Sequence, residues 1–193
     1  MFNVLLDELP EEWNGYPIDT DFQTGIMINQ CLNDDSLSES EQMFTAIDLL
    51  FPEEKPDPEE CGKALAWYLT EYIHDNNVKK NKKSVTVFDF DIDQWRIYAA
   101  FKSQYGIDLN REKLHWFVFM GLLSNLNDCS LLEVMNIRDI VITSKMSAEE
   151  KKYYTEKKAL VAIKPEREKT QSPQDRKAVE EFMKYANINR KEN

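Results

Sequence analysis

Residues 114–126, LHWFVFMGLLSNL, are apolar almost all the way round a helix. No face of such a helix favours water, so it cannot lie on a surface and must be surrounded by other helices. This one segment therefore points to a helical bundle with this helix at its centre. Trp116, Phe119 and Leu123 are expected in the core.

The rest of the chain supplies the surrounding helices. Only 5 Gly in 193 residues, with 31% charged residues, favours helix, and 42% hydrophobic content is that of a globular chain. Helix starts recur where a Ser or Thr can accept a free backbone N–H three residues on and an acid or Gln there answers it. Ser38 with Glu41, Ser130 with Glu133, Ser147 with Glu150 and Thr20 with Gln23 fit this pattern. Ser172 with Asp175 fits it more weakly, helped by Pro173, and Asp57 followed by Pro58, Glu59 and Glu60 makes a comparable start. Each cap contributes about 1 kcal/mol.

Apolar residues follow at helical spacing, as in Met43, Phe44, Ile47, Leu50 and Phe51, or Cys61, Leu65, Tyr68, Leu69 and Tyr72. Caps and spacing together predict helices near 21–33, 39–51, 58–75, 92–105, 111–126, 131–143, 148–162 and 173–186. Residues 2–20 read as two short extended segments, FNVLL and YPI, around Pro10 and the Asn14-Gly15 pair, which favours a hairpin turn. The expected architecture is mainly α: an orthogonal helical bundle with a small N-terminal β-hairpin and a loosely attached C-terminal helix. Residues 1–163 form the helical body with the hairpin, and 164–193 a polar linker, bracketed by Pro165 and Pro173, and the last helix.

Cys31, Cys61 and Cys129 are odd in number, far apart and set in apolar runs, so neither a disulfide framework nor a CxxC site is expected, and a reducing cytoplasm fits. The N-terminal MFNVLLDELPEEW lacks a basic leader, and no stretch reaches the roughly 18 apolar residues of a membrane span, so neither export nor anchoring is expected. Charge is polarised. Residues 1–78 carry 2 Lys/Arg against 18 Asp/Glu, whereas residues 145–193 carry 13 against 9. An acidic body repels phosphate backbones, so nucleic acid is not an expected partner.

Asp89, Asp91 and Asp93 spell D-x-D-x-D, a pattern that could gather oxygen ligands for a cation and so support a metal-dependent enzyme. A calcium loop also needs a Gly and a closing Glu, whereas here Phe90 and Ile92 alternate with the acids and Gln94-Trp95 follows. An extended run into a helix N-terminus, where carboxylates meet the positive end of the dipole, suits these residues better. His74 and His115 have no ligand partner at helical spacing, and His115 reads as a packing residue. No nucleophile elbow and no Gly-rich phosphate loop is present. We expect no catalytic residue, no cofactor and no metal.

Trp95, Tyr98, Phe101 and Tyr105 recur at three- and four-residue spacing, which fits either a core face or a partner-binding stripe. Together with Trp116 they are the candidate partner-binding residues. Lys79, Lys80, Lys82 and Lys83 form a basic patch that reads as a solvated linker.

Three segments carry a family resemblance. The first runs from Asp89 through Ile97, Tyr98, Ala99, Ala100 and Phe101 to Gln104, Tyr105, Gly106, Ile107, Asp108 and Leu109. The second is Leu114, His115, Trp116 and Phe119 leading into Leu122 and Leu123. The third is Leu9 and Pro10 with Ile18, Thr20, Asp21 and Phe22 in YPIDTDFQTGI. Together they resemble the bacteriophage gene-product-fifteen family of phages and prophages of Gram-positive bacteria. Phe117 stands where that pattern suggests a second Trp after Trp116.

The resemblance implies a non-enzymatic tail assembly chaperone that binds the tape-measure protein, and possibly the tail tube protein, in the cytoplasm of the bacterial host. An acidic body would keep such a complex in solution while grooves between helices accept amphipathic helices. A homo-oligomer is possible on this reading. The alternative is a structural tail or connector subunit of the virion.

Overall fold

The structure, a computed structural model, describes residues 3–71 and 87–163. The helix expected at 173–186, the unit expected at 164–193, the end of the helix expected to reach residue 75, His74 and the Lys79–Lys83 patch lie outside the described residues. Within them the chain runs β1 (Glu12–Trp13), β2 (Tyr16–Pro17), α1 (Phe22–Leu32), α2 (Glu39–Leu50), α3 (Pro58–Thr70), α4 (Gln94–Tyr105), α5 (Trp116–Ser124), α6 (Ser130–Asp139) and α7 (Ala148–Val161). The fold is mainly α, as expected.

β1 and β2 pair antiparallel, with Trp13 opposite Tyr16 and Glu12 opposite Pro17. Asn14 and Gly15 both take positive φ, 50° and 87°, as a two-residue hairpin turn requires. The hairpin is smaller than expected, because residues 3–6 form no strand. Residues 4–6 turn instead, with the Asn3 N–H donating to Asp7 Oδ2 at 2.7 Å and the Leu5 N–H to Asn3 Oδ1 at 3.0 Å. Such local side-chain bonds outcompete an extended ladder.

Ser38 and Ser147 form the expected capping boxes, and Asp57 accepts from the N–H groups of Glu59 and Glu60. Two other starts are displaced by one residue. At α1 the cap is Asp21, not Thr20, because the Thr20 carbonyl accepts from the Trp116 N–H at 2.7 Å. At α6 the extended residue is Cys129, which makes no side-chain cap bond, so Ser130 is already helical. The expected 111–126 helix starts only at Trp116: Leu114 and His115 are held out of it by pairing with the start of α1, through the Phe22 N–H to the Leu114 carbonyl and an Asp21–His115 bridge.

α5 occupies the centre. Trp116, Phe117, Phe119, Met120 and Leu123 are buried, and α5 packs on α1 and α4. Phe119 stacks on Phe22 (4.9 Å between centroids), Phe101 (5.0 Å) and Trp116 (5.9 Å). Trp116 in turn stacks on Tyr68 and donates its indole N–H to the Tyr68 carbonyl at 3.1 Å. Phe117 is buried beside Trp67, edge to face at 5.2 Å. Gly25 makes this arrangement possible, because a Cβ there would lie 2.1 Å from the Trp116 ring.

α6 and α7 join through polar contacts. Arg138, buried on α6, donates to both oxygens of the fully buried Asp93 at 2.5 and 3.1 Å, to the Val87 carbonyl at 3.0 Å and to the Val161 carbonyl at 2.6 Å. Lys158 of α7 donates to the carbonyls of Arg138 and Ile140 at 2.6 Å each, closing the C-terminus of α6, where a cation also meets the negative end of the dipole. Of the lysines on α7, Lys152 is exposed whereas Lys151, Lys157 and Lys158 are half-buried.

Candidate functional site

The residues proposed from the aromatic spacing do not share one surface. Trp95 is 73% exposed, near the start of α4. Tyr98, one turn on, is half-buried; it meets Trp95 edge to face at 6.0 Å and donates its hydroxyl to Asp108 at 3.3 Å. Phe101 and Trp116, named among the candidate partner-binding residues, are instead buried in the core and present no side-chain surface. The helical turn simply rotates Phe101 toward α5. Tyr105 is half-buried and donates to the Leu122 carbonyl at 2.9 Å, which closes the C-terminal end of α5.

Trp95 and Tyr98 border a cleft of about 200 Å³. Its apolar walls come from Phe22 and Ile26 of α1, Phe90, Ile97 of α4, Leu109 and Phe119 of α5. Gln23, Gln94 and Asn110 supply amides, and among the described residues no charged side chain lines it. At one border the Tyr98 hydroxyl meets Asp108, whose carboxyl is held below the usual range chiefly by the hydrogen bond from Lys102 Nζ, 3.2 Å away. On the neighbouring turn Gln30 donates to Asp91 at 2.6 Å, joining α1 to the segment that leads into α4. The walls are therefore fixed relative to one another.

The three aspartates of the D-x-D-x-D run have separate roles. Asp89 Oδ1 accepts from the N–H groups of Asp91 and Ile92, both at 2.9 Å, which shapes the turn. Asp91 accepts from Gln30, and Asp93 faces inward to Arg138 and Arg96. Asp93 stands at the N-cap of α4, as its position suggested, but its side chain makes no cap bond and instead faces inward as an ion-pair partner. Among the described residues no group of three or more His, Cys, Asp or Glu side chains is placed to hold a metal ion.

His115 is more than a packing residue. Its Nδ1 accepts from the Phe117 N–H at 3.1 Å, capping α5, so its Nε2 carries the proton and donates to the Pro10 carbonyl at 2.9 Å. Burial pushes its pKa down.

Sequence reasoning found Trp95 and Tyr98 but missed most of the cleft. Phe22, Ile26, Phe90, Leu109 and Asn110 belong to three different segments. The one local hint was Gly106, which at φ 73° ends α4 and turns the chain back toward Leu109.

No helix among the described residues is long and apolar enough to cross a membrane. Comparison with curated proteins and with solved structures found no match. The family model described as Bacteriophage Gp15 protein matches residues 5–163, a span that takes in the hairpin, the cleft and all seven described helices. This chain belongs to the bacteriophage Gp15 protein family.

Proposed function

We propose that this phage protein is a non-enzymatic tail assembly chaperone. It holds the tape-measure protein in solution in the host cytoplasm while tail tube subunits assemble around it. The observation that supports this reading best is the open cleft beside Trp95. Its volume of about 200 Å³ lies below the roughly 300–1,000 Å³ of small-molecule sites and suits one or two large apolar side chains. Apolar walls with an amide rim suit the anchor residue of an amphipathic helix laid across the groove. An exposed Trp at the edge is the residue type that most often dominates such contacts. Each contact would be modest, but many copies along one extended helical protein add avidity.

The test is co-expression with the tape-measure protein of the same phage, comparing the native chain with Trp95→Asp. The native chain should keep the tape measure in the soluble fraction and co-purify with it, and the variant should lose most of that effect while folding normally. A tape measure equally insoluble with and without this chain overturns the proposal. Stoichiometric recovery of this chain in purified particles would instead identify a structural tail or connector subunit.

A further inference from the structure

α7 has 14 residues, and none of them is buried. Lys151, Tyr154, Lys158 and Val161 are half-buried and recur at helical spacing, so the side turned inward carries two ammonium groups instead of an apolar stripe. The hydrogen bonds that hold it run from charged donors to carbonyls. Lys158 reaches those of Arg138 and Ile140, Lys151 reaches that of Ser144 at 3.2 Å, and Arg138 Nε reaches that of Val161. Most helical stability in proteins comes from burying an apolar face, and a helix of this length is marginal in water without it. α7 therefore belongs to the low-stability end of the molecule, where local opening costs much less than global unfolding.

The bond at Arg138 leads on to the cleft. The same guanidinium holds both oxygens of Asp93, and Asp93 Oδ2 also accepts from the Asp89 N–H at 3.1 Å. With the Asp93 N–H on the Asp89 carbonyl at 2.9 Å, that bond closes the turn at 89–93. The turn carries Phe90, a wall of the cleft, and delivers Gln94 and Trp95 to it. From Val161 to Trp95, every step is a hydrogen bond or a neighbouring residue. Arg138 is 4% exposed with α7 in place. Undocking of α7 takes the Val161 carbonyl from Nε and admits water to the guanidinium. Water raises the effective dielectric constant around an ion pair and so weakens its hold.

We propose that α7 is a detachable clasp whose docking controls the cleft beside Trp95, acting through Arg138 on Asp93. α7 is the element with two states, and both its own attachment and an occupant of the cleft bias the balance between them. With α7 docked, the Arg138–Asp93 pair is dry and the 89–93 turn holds Phe90 and Trp95 in place. With α7 undocked, the pair loosens and the turn gains freedom, so an occupant must order the walls as it binds and is held less tightly. Linkage is reciprocal: an occupant of the cleft holds α7 down by the same factor. Arg138 and Lys158 are positioning residues, for neither lines the cleft. The effect on partner binding rests on the reading of the cleft as the tape-measure site, whereas the coupling of α7 to the turn does not.

Hydrogen–deuterium exchange of the full chain, read by mass spectrometry, tests it. In the native chain the amides of α7 should exchange at least roughly tenfold faster than those of α5. Lys158→Met removes both carbonyl bonds, and should speed exchange about tenfold in α7 and several-fold at 89–93 while leaving α3 as it was. Lys158→Arg, which keeps a cationic donor, should restore both. Ala159→Pro breaks the helix outright at an exposed position and should loosen 89–93 at least as much. Faster exchange confined to α7 in Ala159→Pro, with 89–93 as in the native chain, would overturn the proposal, as would native α7 amides as well protected as those of α5. Co-expression with the tape-measure protein separates this from the chaperone reading. Ala159→Pro should retain several-fold less tape measure than the native chain, and equal retention would overturn control of the cleft. A native chain that retains none, with 89–93 still loosened in Ala159→Pro, would remove the chaperone reading and support the coupling.

Discussion

Gly25 and Gly62 both sit inside helices, yet replacing each by Ala should change stability in opposite directions. At Gly62 a Cβ would meet nothing within 4 Å, and the same holds at Gly121 of α5. There Ala removes conformational freedom from the unfolded chain and adds no contact, so each substitution should stabilise by roughly 0.5–1 kcal/mol. At Gly25 the new Cβ would lie 2.1, 2.3 and 2.7 Å from three carbons of the Trp116 ring. Carbon atoms pack best at about 3.5–4.0 Å, so the ring would have to retreat by more than an ångström.

Trp116 has nowhere to go. It is 1% exposed, Tyr68 is stacked on it at 5.9 Å, and its N–H is committed to the Tyr68 carbonyl. Overpacking of this kind costs about 3 kcal/mol at the upper end of its range, and a strained or lost indole hydrogen bond adds about 1 kcal/mol. The gain in helix propensity offsets at most about 1 kcal/mol. The net destabilisation is about 3 kcal/mol, or roughly 6–12 °C in Tm for a chain of this size. Urea titration followed by far-ultraviolet circular dichroism measures it, with Gly62→Ala as the control of opposite sign. A Gly25→Ala protein as stable as the native one would refute the packing argument. Trp116→Phe in the Gly25→Ala background should recover part of the loss, because the two residues compete for one space.

Two further perturbations probe the polar framework. Arg138→Met should destabilise by about 3 kcal/mol, the low end for breaking a buried pair because Arg96 still contacts Asp93 at 2.9 Å; adding Asp93→Leu should cost less than the two single losses combined, and strict additivity in a double-mutant cycle would count against the pair. Burial lowers the His115 pKa from 6.5, opposed by the Pro10 carbonyl and Glu11, so the unfolded chain binds that proton more readily: its contribution is present above about pH 6.5 and is lost as pH falls. Thermal melts from about pH 7.5 to 5.5 should show a smaller loss in His115→Asn, which keeps a cap acceptor but does not titrate; an unchanged slope would remove His115 from this role.

How much of this could be read in the sequence followed from the distance over which each feature is decided. The Ser38, Ser147 and Asp57 caps are decided within three residues and stand where the sequence put them. Thr20 failed as a cap because its carbonyl belongs to Trp116, almost a hundred residues away, and the same pairing shortened α5 at its start. The aromatic spacing of α4 correctly marked one side of a helix. It carried no information about where along that side the core ends, so it grouped exposed Trp95 with buried Phe101. Arg138 and Asp93 lie 45 positions apart, and neither has a local feature that names the other. The cleft needed three segments to meet, which no local pattern records.

The segments that carry the family resemblance interlock physically. YPIDTDFQTGI supplies Asp21, Phe22 and Gly25; the LHWF segment supplies the strand bridge to Asp21 and the Trp116 ring over Gly25; the segment from Asp89 to Leu109 lays Phe90 and Phe101 against Phe119. Most of the residues that make the pattern recognisable therefore hold α5 in the middle of the molecule, and they report on fold. Binding must use what stands outside. Phe44, Tyr153 and Leu160 are exposed and lie beyond those segments, so substitutions there alter a surface without disturbing α5. Trp95 and Ile92 are large, apolar and exposed within one of the segments, and neither is needed to fill the core. A surface Trp inside a core-forming segment fills no space in the core, so on the proposed chaperone reading Trp95 is the residue at which fold and partner binding can be separated: its replacement should leave the melting curve unchanged while most of the retention of the tape measure is lost.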